Sequence, residues 1–157
     1  MLVVRFTVMG DEVLARGLSR FGDSIKDFRP AWDKIHLDFV TIEAEQFDSQ
    51  GTRGGAVWPP LSPSYAAWKE KWFPGQPILQ LTGVMYGQFA IGPGMMVEME
   101  PLFLRMAPST PYAKYHQTGT SKMPARKPVV LTEQDKVNWM KILHNYVYDK
   151  AREARIL

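Results

Sequence analysis

Three histidines and a pair of glutamates are the residues whose types could do chemistry. His36, His116 and His144 fall in separate segments without short-range partner spacing, so they do not suggest the converging ligands of a transition-metal site. Glu98 and Glu100 would share one strand face and could bind magnesium, but a nuclease would need a nearby lysine and a further acid. The sequence therefore predicts no enzyme, no metal and no cofactor. It favours solvent-facing carboxylates over a nuclease site.

His116 and Arg126 are the strongest single candidates for a binding role. The imidazole of His116 could hydrogen-bond a backbone carbonyl and fix the loop before Gly119, whereas catalysis would require an oriented second group. A structural histidine is therefore favoured. Arg126 lies beside Lys127 and Pro128 on a stiffened segment, so its guanidinium would lose little freedom on pairing with a carboxylate. An acid of the same subunit and an acid of a neighbouring subunit are equal alternatives.

Both residues belong to a segment, 112–131, around which the rest of the chain is organised. It opens with a short turn that carries two tyrosines and His116, and it then crosses a basic loop. Pro124 and Pro128 forbid helix and favour extended backbone before them, so the chain is predicted to enter a strand after Pro128. A basic loop is thus expected between two apolar anchors.

Several short motifs in and before this segment occur in a fixed order. They are Phe47 and Gly51; Trp58-Pro59-Pro60-Leu61; Tyr65 and Lys69; Leu79-Gln80-Leu81-Thr82-Gly83; Tyr112-Ala113, His116-Gln117 and Gly119; Pro124-Ala125-Arg126; Pro128 to Leu131; and Glu133 and Asp135. Over about two thirds of the chain, this order resembles the tail-completion, or virion-morphogenesis, family of tailed bacteriophages. Tyr86-Gly87-Gln88 departs from the small hydroxyl residue that the family carries after its Thr-Gly.

The resemblance implies a cofactor-free structural protein of the virion neck, which acts in tail completion or head–tail joining and is assembled in the host cytoplasm. Its partners would be copies of itself in a cyclic ring, a hexamer if it matches the tail tube. Other partners would be the connector or head-closure protein and the tail tube or terminator. A tail-terminator or head-closure ring is an alternative role, and contact with DNA in the ring lumen is left open.

Particular residues follow from this resemblance. Contacts to a neighbouring subunit or partner are expected from Lys122, Arg126, Lys127 and Trp58. The structural signature would comprise Tyr112, His116, Gln117, Gly119, Pro124, Pro128, Thr82 and Gly83. The stretches 48–56 and 118–123 are expected to be mobile and to become ordered on contact with a partner.

Composition is consistent with one globular domain over residues 1–157. Hydrophobic residues make up 45% and charged residues 22%, which is typical of an ordered chain. Without cysteine, disulfides and thiolate metal sites are excluded. No segment suggests a membrane span or a signal peptide, so a cytoplasmic or particle-bound protein is expected. The net charge of +3 is weak for a phosphate binder. A nucleic-acid-binding module that uses Lys122, Arg126, Lys127 and exposed aromatics remains an alternative.

The first part of the chain is predicted to form a strand and two helices. Residues 2–8 alternate as in a half-buried strand, and Asp11 can then cap a helix. A second helix begins near Pro30 and carries two apolar stripes about 140° apart. A central core helix is favoured over one that offers a stripe to a neighbouring subunit. The stripe of the first helix, which should face a core, is Leu14, Leu18, Phe21 and Ile25; those of the second are Trp32, Ile35, Phe39 and Ile42, and Leu37, Val40, Ala44 and Phe47.

Shorter elements follow. The composition of 48–63 indicates a loop, in which Trp58 is favoured as a buried anchor over a stacking platform. Ser62 or Ser64 can cap a short helix. A further helix is predicted over about 77–89, in which Thr82-Gly83 would let another backbone approach closely. Residues 95–106 alternate as two antiparallel strands or one bent strand.

A long helix ends the chain. Thr132 and Asp135 form a variant capping box at its start. Residues 149–157 are predicted to be a polar tail, either solvated or in contact with a neighbouring subunit. Two adjacent apolar stripes are Val137, Met140, His144 and Val147, and Trp139, Leu143 and Tyr146. The predicted class is α+β, with a small antiparallel sheet packed against several helices.

Overall fold

A computed structural model of the chain describes residues 11–92 and 94–157, and its fold is α+β. The predicted strand over residues 2–8 lies outside the described residues. In chain order the helices are α1 (Asp11–Ser24), α2 (Arg29–Asp48), α3 (Pro63–Trp72), α4 (Val84–Tyr86), α5 (Ala113–Thr118) and α6 (Glu133–Glu153). A 3₁₀ turn covers Thr52–Gly54, a π-helical turn covers Gly87–Ile91, and the strands are β1 (Met95–Glu100) and β2 (Phe103–Pro108).

Helix α2 lies at the centre of the core. Its first apolar stripe points inward, since Ile35, Phe39 and Ile42 are buried. Phe47 is fully buried and contacts the ring of Trp58, with centroids 5.4 Å apart. The second stripe does not stay inside along its length, because Leu37 is 71% exposed. The favoured interpretation as a core helix therefore holds for one face.

Helices α1 and α6 pack together through small residues. Gly17 is buried, and a Cβ atom there would lie 2.9 Å from Ile156 Cγ2 and 3.2 Å from the Ala154 carbonyl oxygen. The close contact corrects the expectation of a solvated tail, because α6 continues to Glu153 and Ala154 is buried. The predicted core stripe of α1 is also wrong in part, since Leu18 is 51% exposed.

The helix predicted over 77–89 begins only at Val84. Leu79 and Gly83 have φ angles of 63° and 76°, and such left-handed residues cannot continue a right-handed helix. The expected close approach at Gly83 is wrong, because a Cβ there would meet no atom within 4 Å. Gly83 is instead the N-cap of α4, where glycine readily adopts the left-handed backbone conformation.

The two strands form an antiparallel hairpin, which rules out one bent strand. Met95 pairs with Pro108 and Glu100 with Phe103, so Pro101 and Leu102 make the turn. The hairpin is tied to the start of α2, where the Phe28 backbone N–H donates to the Pro101 carbonyl oxygen at 2.7 Å.

Helix α6 begins with the predicted capping box. The Thr132 Oγ1 accepts from the Asp135 backbone N–H, and the Asp135 carboxylate accepts from the Thr132 N–H at 2.7 Å. Trp139 on this helix packs against Phe39 and donates its Nε1–H to Asp38 Oδ2 at 2.7 Å. Among the described residues, no helix combines the length and apolar character needed to cross a membrane.

Candidate functional site

The segment 112–131 is held in place by side-chain amides and carbonyls. Gln117 at the end of α5 donates from Nε2 to the Val129 carbonyl oxygen at 2.8 Å, and its Oε1 accepts from the Val129 N–H at 3.1 Å. One amide thus makes the pair of bonds that a neighbouring strand would supply. The predicted strand after Pro128 is therefore absent, although its backbone is satisfied.

Trp58 fastens the same segment to the core. Its Nε1–H donates to the Lys127 carbonyl oxygen at 3.0 Å, and Gln46 Nε2 donates to the same oxygen at 3.1 Å. The Trp58 ring is only 4% exposed. The buried-anchor prediction is confirmed, and the expected partner contact of Trp58 is wrong because very little of its surface is accessible. The side chain of Lys127 points outward and is exposed.

Arg126 also turns inward. Its Nε donates to the Pro59 carbonyl oxygen and its Nη2 to the Pro60 carbonyl oxygen, both at 2.7 Å, and the residue is 5% exposed. The alternative of an acid in the same subunit is corrected, because two backbone carbonyls hold this guanidinium and no acid among the described residues pairs with it. An acid of a neighbouring subunit stays a prediction. Burial lowers the pKa of Arg126, while the nearby Tyr65 hydroxyl raises it.

The loop between α5 and Arg126 is a closed turn. Thr120 and Met123 exchange backbone hydrogen bonds of 2.8 and 3.3 Å, which leaves Lys122 exposed at the tip. Gly119 has a φ of 75°, and a Cβ there would lie 2.8 Å from the Ala125 nitrogen. A side chain at Gly119 would therefore push the turn away from Arg126.

A cleft of about 520 Å³ lies between this turn and the start of α3. Its polar lining includes Arg126, His116 and Lys122, and Tyr65 lies at its edge.

His116 is held by its backbone. Its carbonyl oxygen accepts from the Arg126 N–H at 2.8 Å, but the buried Nδ1 of its side chain has no hydrogen-bond partner among the described residues. The expected bond from the imidazole to a carbonyl is thus not found at Nδ1. Burial, and secondly the charge of Arg126, lower the pKa of His116.

An aromatic face on α3 adjoins the cleft. Tyr65 stacks on Trp68 with ring centroids 5.5 Å apart, and Trp72 is 60% exposed. Lys69 on the same helix is buried instead, and its Nζ donates to the Pro77 carbonyl oxygen at 2.5 Å. Burial lowers the pKa of Lys69. The sequence predicted the helix and its aromatics, but it did not predict which side they would face.

A second apolar face lies on α6, along the first of the two apolar stripes that the sequence indicates for this helix. Val137 and Met140 are 46% and 65% exposed, and His144 and Tyr148 continue the face at helical spacing. The adjacent stripe points inward, since the Tyr146 hydroxyl donates to the Asp27 carbonyl oxygen. Two adjacent apolar stripes allow either assignment, so the periodicity could not decide between them.

A partly buried ionic cluster joins α2, the 3₁₀ turn and α6. Arg53 Nη2 lies 2.6 Å from Asp135 Oδ1, and its Nε lies 2.9 Å from Glu45 Oε2. Burial raises the pKa of Asp135, but hydrogen bonds from Arg53 and Thr132 outweigh it and hold that pKa below its usual value. Glu43 is fully buried without hydrogen bonds to either carboxyl oxygen, and burial raises its pKa to about 8. Sequence analysis missed Arg53 and Glu43, because nothing local marks them.

Glu98 of the hairpin pairs with a base. Glu98 Oε2 lies 2.9 Å from Arg105 Nη1, directly across the two strands, and both side chains are largely exposed. Within 11–92 and 94–157, no group of three or more histidines and acids is placed to hold a metal ion.

The remaining signature residues lie at different depths. Pro128 is buried, whereas Thr82, Gly83 and Pro124 are exposed. Tyr112 is 42% exposed and meets the His116 ring edge-on, with centroids 6.2 Å apart. No family model, no curated protein and no solved structure matches this chain.

Proposed function

We propose that this chain is a structural subunit of the head–tail junction of a tailed bacteriophage, which acts in tail completion as a member of a homo-oligomeric ring. The proposal combines the ordered motifs that resemble the tail-completion family with the location of those motifs in the fold. Phe47 and Trp58 from the first half of the chain and Arg126 and Asp135 from the second half are all buried. These buried residues stabilise the fold, which supports a function that depends on the shape of the protein surface.

The observation that carries the proposal is the pair of exposed apolar faces. One consists of Tyr65, Trp68 and Trp72 on α3, and the other of Val137 and Met140 on α6. They lie in different parts of the fold, since α6 packs against α1 and α2 while α3 adjoins the loop that contains Pro77. A ring built head to tail requires two different surfaces on each subunit, and large exposed apolar patches mark such contacts.

Sedimentation of the purified protein and negative-stain electron microscopy test the ring. We expect one closed oligomer that persists as the protein is diluted, and particles with a central hole. Mass spectrometry and antibody labelling of intact virions should place the chain at the neck. A tail-terminator or head-closure role would place the label at a different level of the neck. A protein that stays monomeric at high concentration and is absent from virions would overturn the proposal.

A further inference from the structure

The cleft beside Arg126 contains positive charge that no described residue of its lining neutralises. Arg126 is 95% removed from solvent, yet its acceptors are two neutral carbonyl oxygens. Lys122 adds a second cation at the rim, and none of the described residues that line the cleft is acidic. A buried charge without an opposite charge is unfavourable, so an anion that entered here would be strongly attracted.

Donors remain for such an anion. A guanidinium carries five N–H groups, and the two bonds to Pro59 and Pro60 use only Nε and Nη2. His116 also lines this cleft, and its buried Nδ1 has no hydrogen-bond partner among the described residues. A planar carboxylate can accept from two donors at once, which is the geometry that a guanidinium favours.

We propose that this cleft binds a carboxylate side chain on a partly apolar peptide segment of a partner protein. The apolar residues of the lining, among them Leu61 and Leu79, suit the neighbouring side chains of such a segment. Nucleic-acid phosphates are usually contacted by a row of exposed cations, whereas here the main cation is buried and Lys122 is the exposed one. The inference does not require that the chain forms a ring.

Titration calorimetry with blocked pentapeptides tests the site. Leu-Asp-Leu-Asp-Leu should bind at least about tenfold more tightly than Leu-Asn-Leu-Asn-Leu, since charge-assisted hydrogen bonds are stronger than neutral ones. The Asp peptide should also raise the pKa of His116, measured by NMR, because it brings a negative charge close to the imidazole. Inorganic phosphate and a single-stranded thymidine decamer serve as probes for the other anions, and both should bind more weakly than the Asp peptide.

Two charge-reversal variants distinguish binding in the cleft from general electrostatic attraction to the protein. Lys122→Glu should weaken the Asp peptide about tenfold or more, because it places a like charge at the rim. Lys141→Glu makes the same charge change at an exposed position of α6 and should leave binding unchanged. Equal affinity for the Asp and Asn peptides, preference for the decamer or for phosphate, or equal effects of the two variants would each overturn the proposal. Circular dichroism confirms that both variants are folded.

Discussion

The two tryptophans Trp58 and Trp72 show how differently this molecule uses its aromatic residues. Trp58 is 4% exposed and hydrogen-bonds the segment 112–131, whereas Trp72 is 60% exposed on α3. The same contrast separates Arg126, which is buried, from Lys122, which is exposed four residues earlier. Trp58 and Arg126, which both belong to the motifs found in the sequence, thus stabilise the fold. The surfaces available to partners lie beside them, on α3, α6 and the rim of the cleft.

Replacing the two tryptophans should give the largest difference. We expect Trp58→Ala to lower the free energy of unfolding by about 3–5 kcal/mol, because it opens a cavity beside Phe47 and removes the bond to Lys127. Trp72→Ala should change it by no more than about 0.5 kcal/mol in the monomer, because the side chain is mostly in solvent. Urea unfolding followed by circular dichroism measures both. Equal losses would show that Trp72 is also part of the core.

The two basic residues give the next largest difference. Arg126→Met leaves the carbonyl oxygens of Pro59 and Pro60 without donors, and should cost about 2–3 kcal/mol of stability. Lys122→Met should cost no more than about 0.5 kcal/mol, because its side chain is exposed at the turn. The same urea titration provides the comparison. An Arg126→Met variant as stable as the parent would show that the guanidinium is not needed to hold the proline loop.

Glu43 should make stability depend on pH. Its pKa rises from 4.5 to about 8 in the folded protein through burial, with Arg53 lowering it and Asp135 raising it as secondary effects. The folded state therefore holds a proton that the unfolded chain releases, so its contribution is complete below pH 4.5 and declines as the pH rises towards 8. Between pH 6 and 8, the parent should lose roughly 2 kcal/mol that Glu43→Gln retains.

Urea midpoints at several pH values check this dependence on Glu43. Glu45→Gln is the matched control, because Glu45 is exposed on the same helix and already paired with Arg53. Parallel pH profiles for the parent and Glu43→Gln would mean that the carboxyl is ionised in the folded state or does not affect stability. Asp135 acts in the opposite direction, because its lowered pKa makes stability decline as the pH falls.

The sequence was sufficient to predict elements that are determined by residues close together in the chain. The capping box predicted the start of α6, and the alternation of 95–106 predicted extended backbone there, as two antiparallel strands or one bent strand. Elements that depend on distant partners were missed. The left-handed Leu79 cannot be inferred from the apolar spacing that suggested a helix, and Gln117 replaces a strand through a side chain twelve residues away. For the site, the sequence identified Arg126 and His116, but not that two proline carbonyls would hold the guanidinium.

The smallest effect on folding, and a decisive one for assembly, is expected on α6. Met140 is 65% exposed, so Met140→Glu should change the stability of the isolated subunit by no more than about 0.5 kcal/mol. If this face of α6 packs against a neighbouring copy, Met140→Glu would bury a charge in the contact between subunits. The oligomer should then dissociate, as measured by sedimentation velocity. Asn145→Glu adds the same charge about 140° around the helix and should leave the oligomer intact. An oligomer unaffected by Met140→Glu would exclude this face of α6 from the subunit contact and leave α3 as the remaining apolar face to examine.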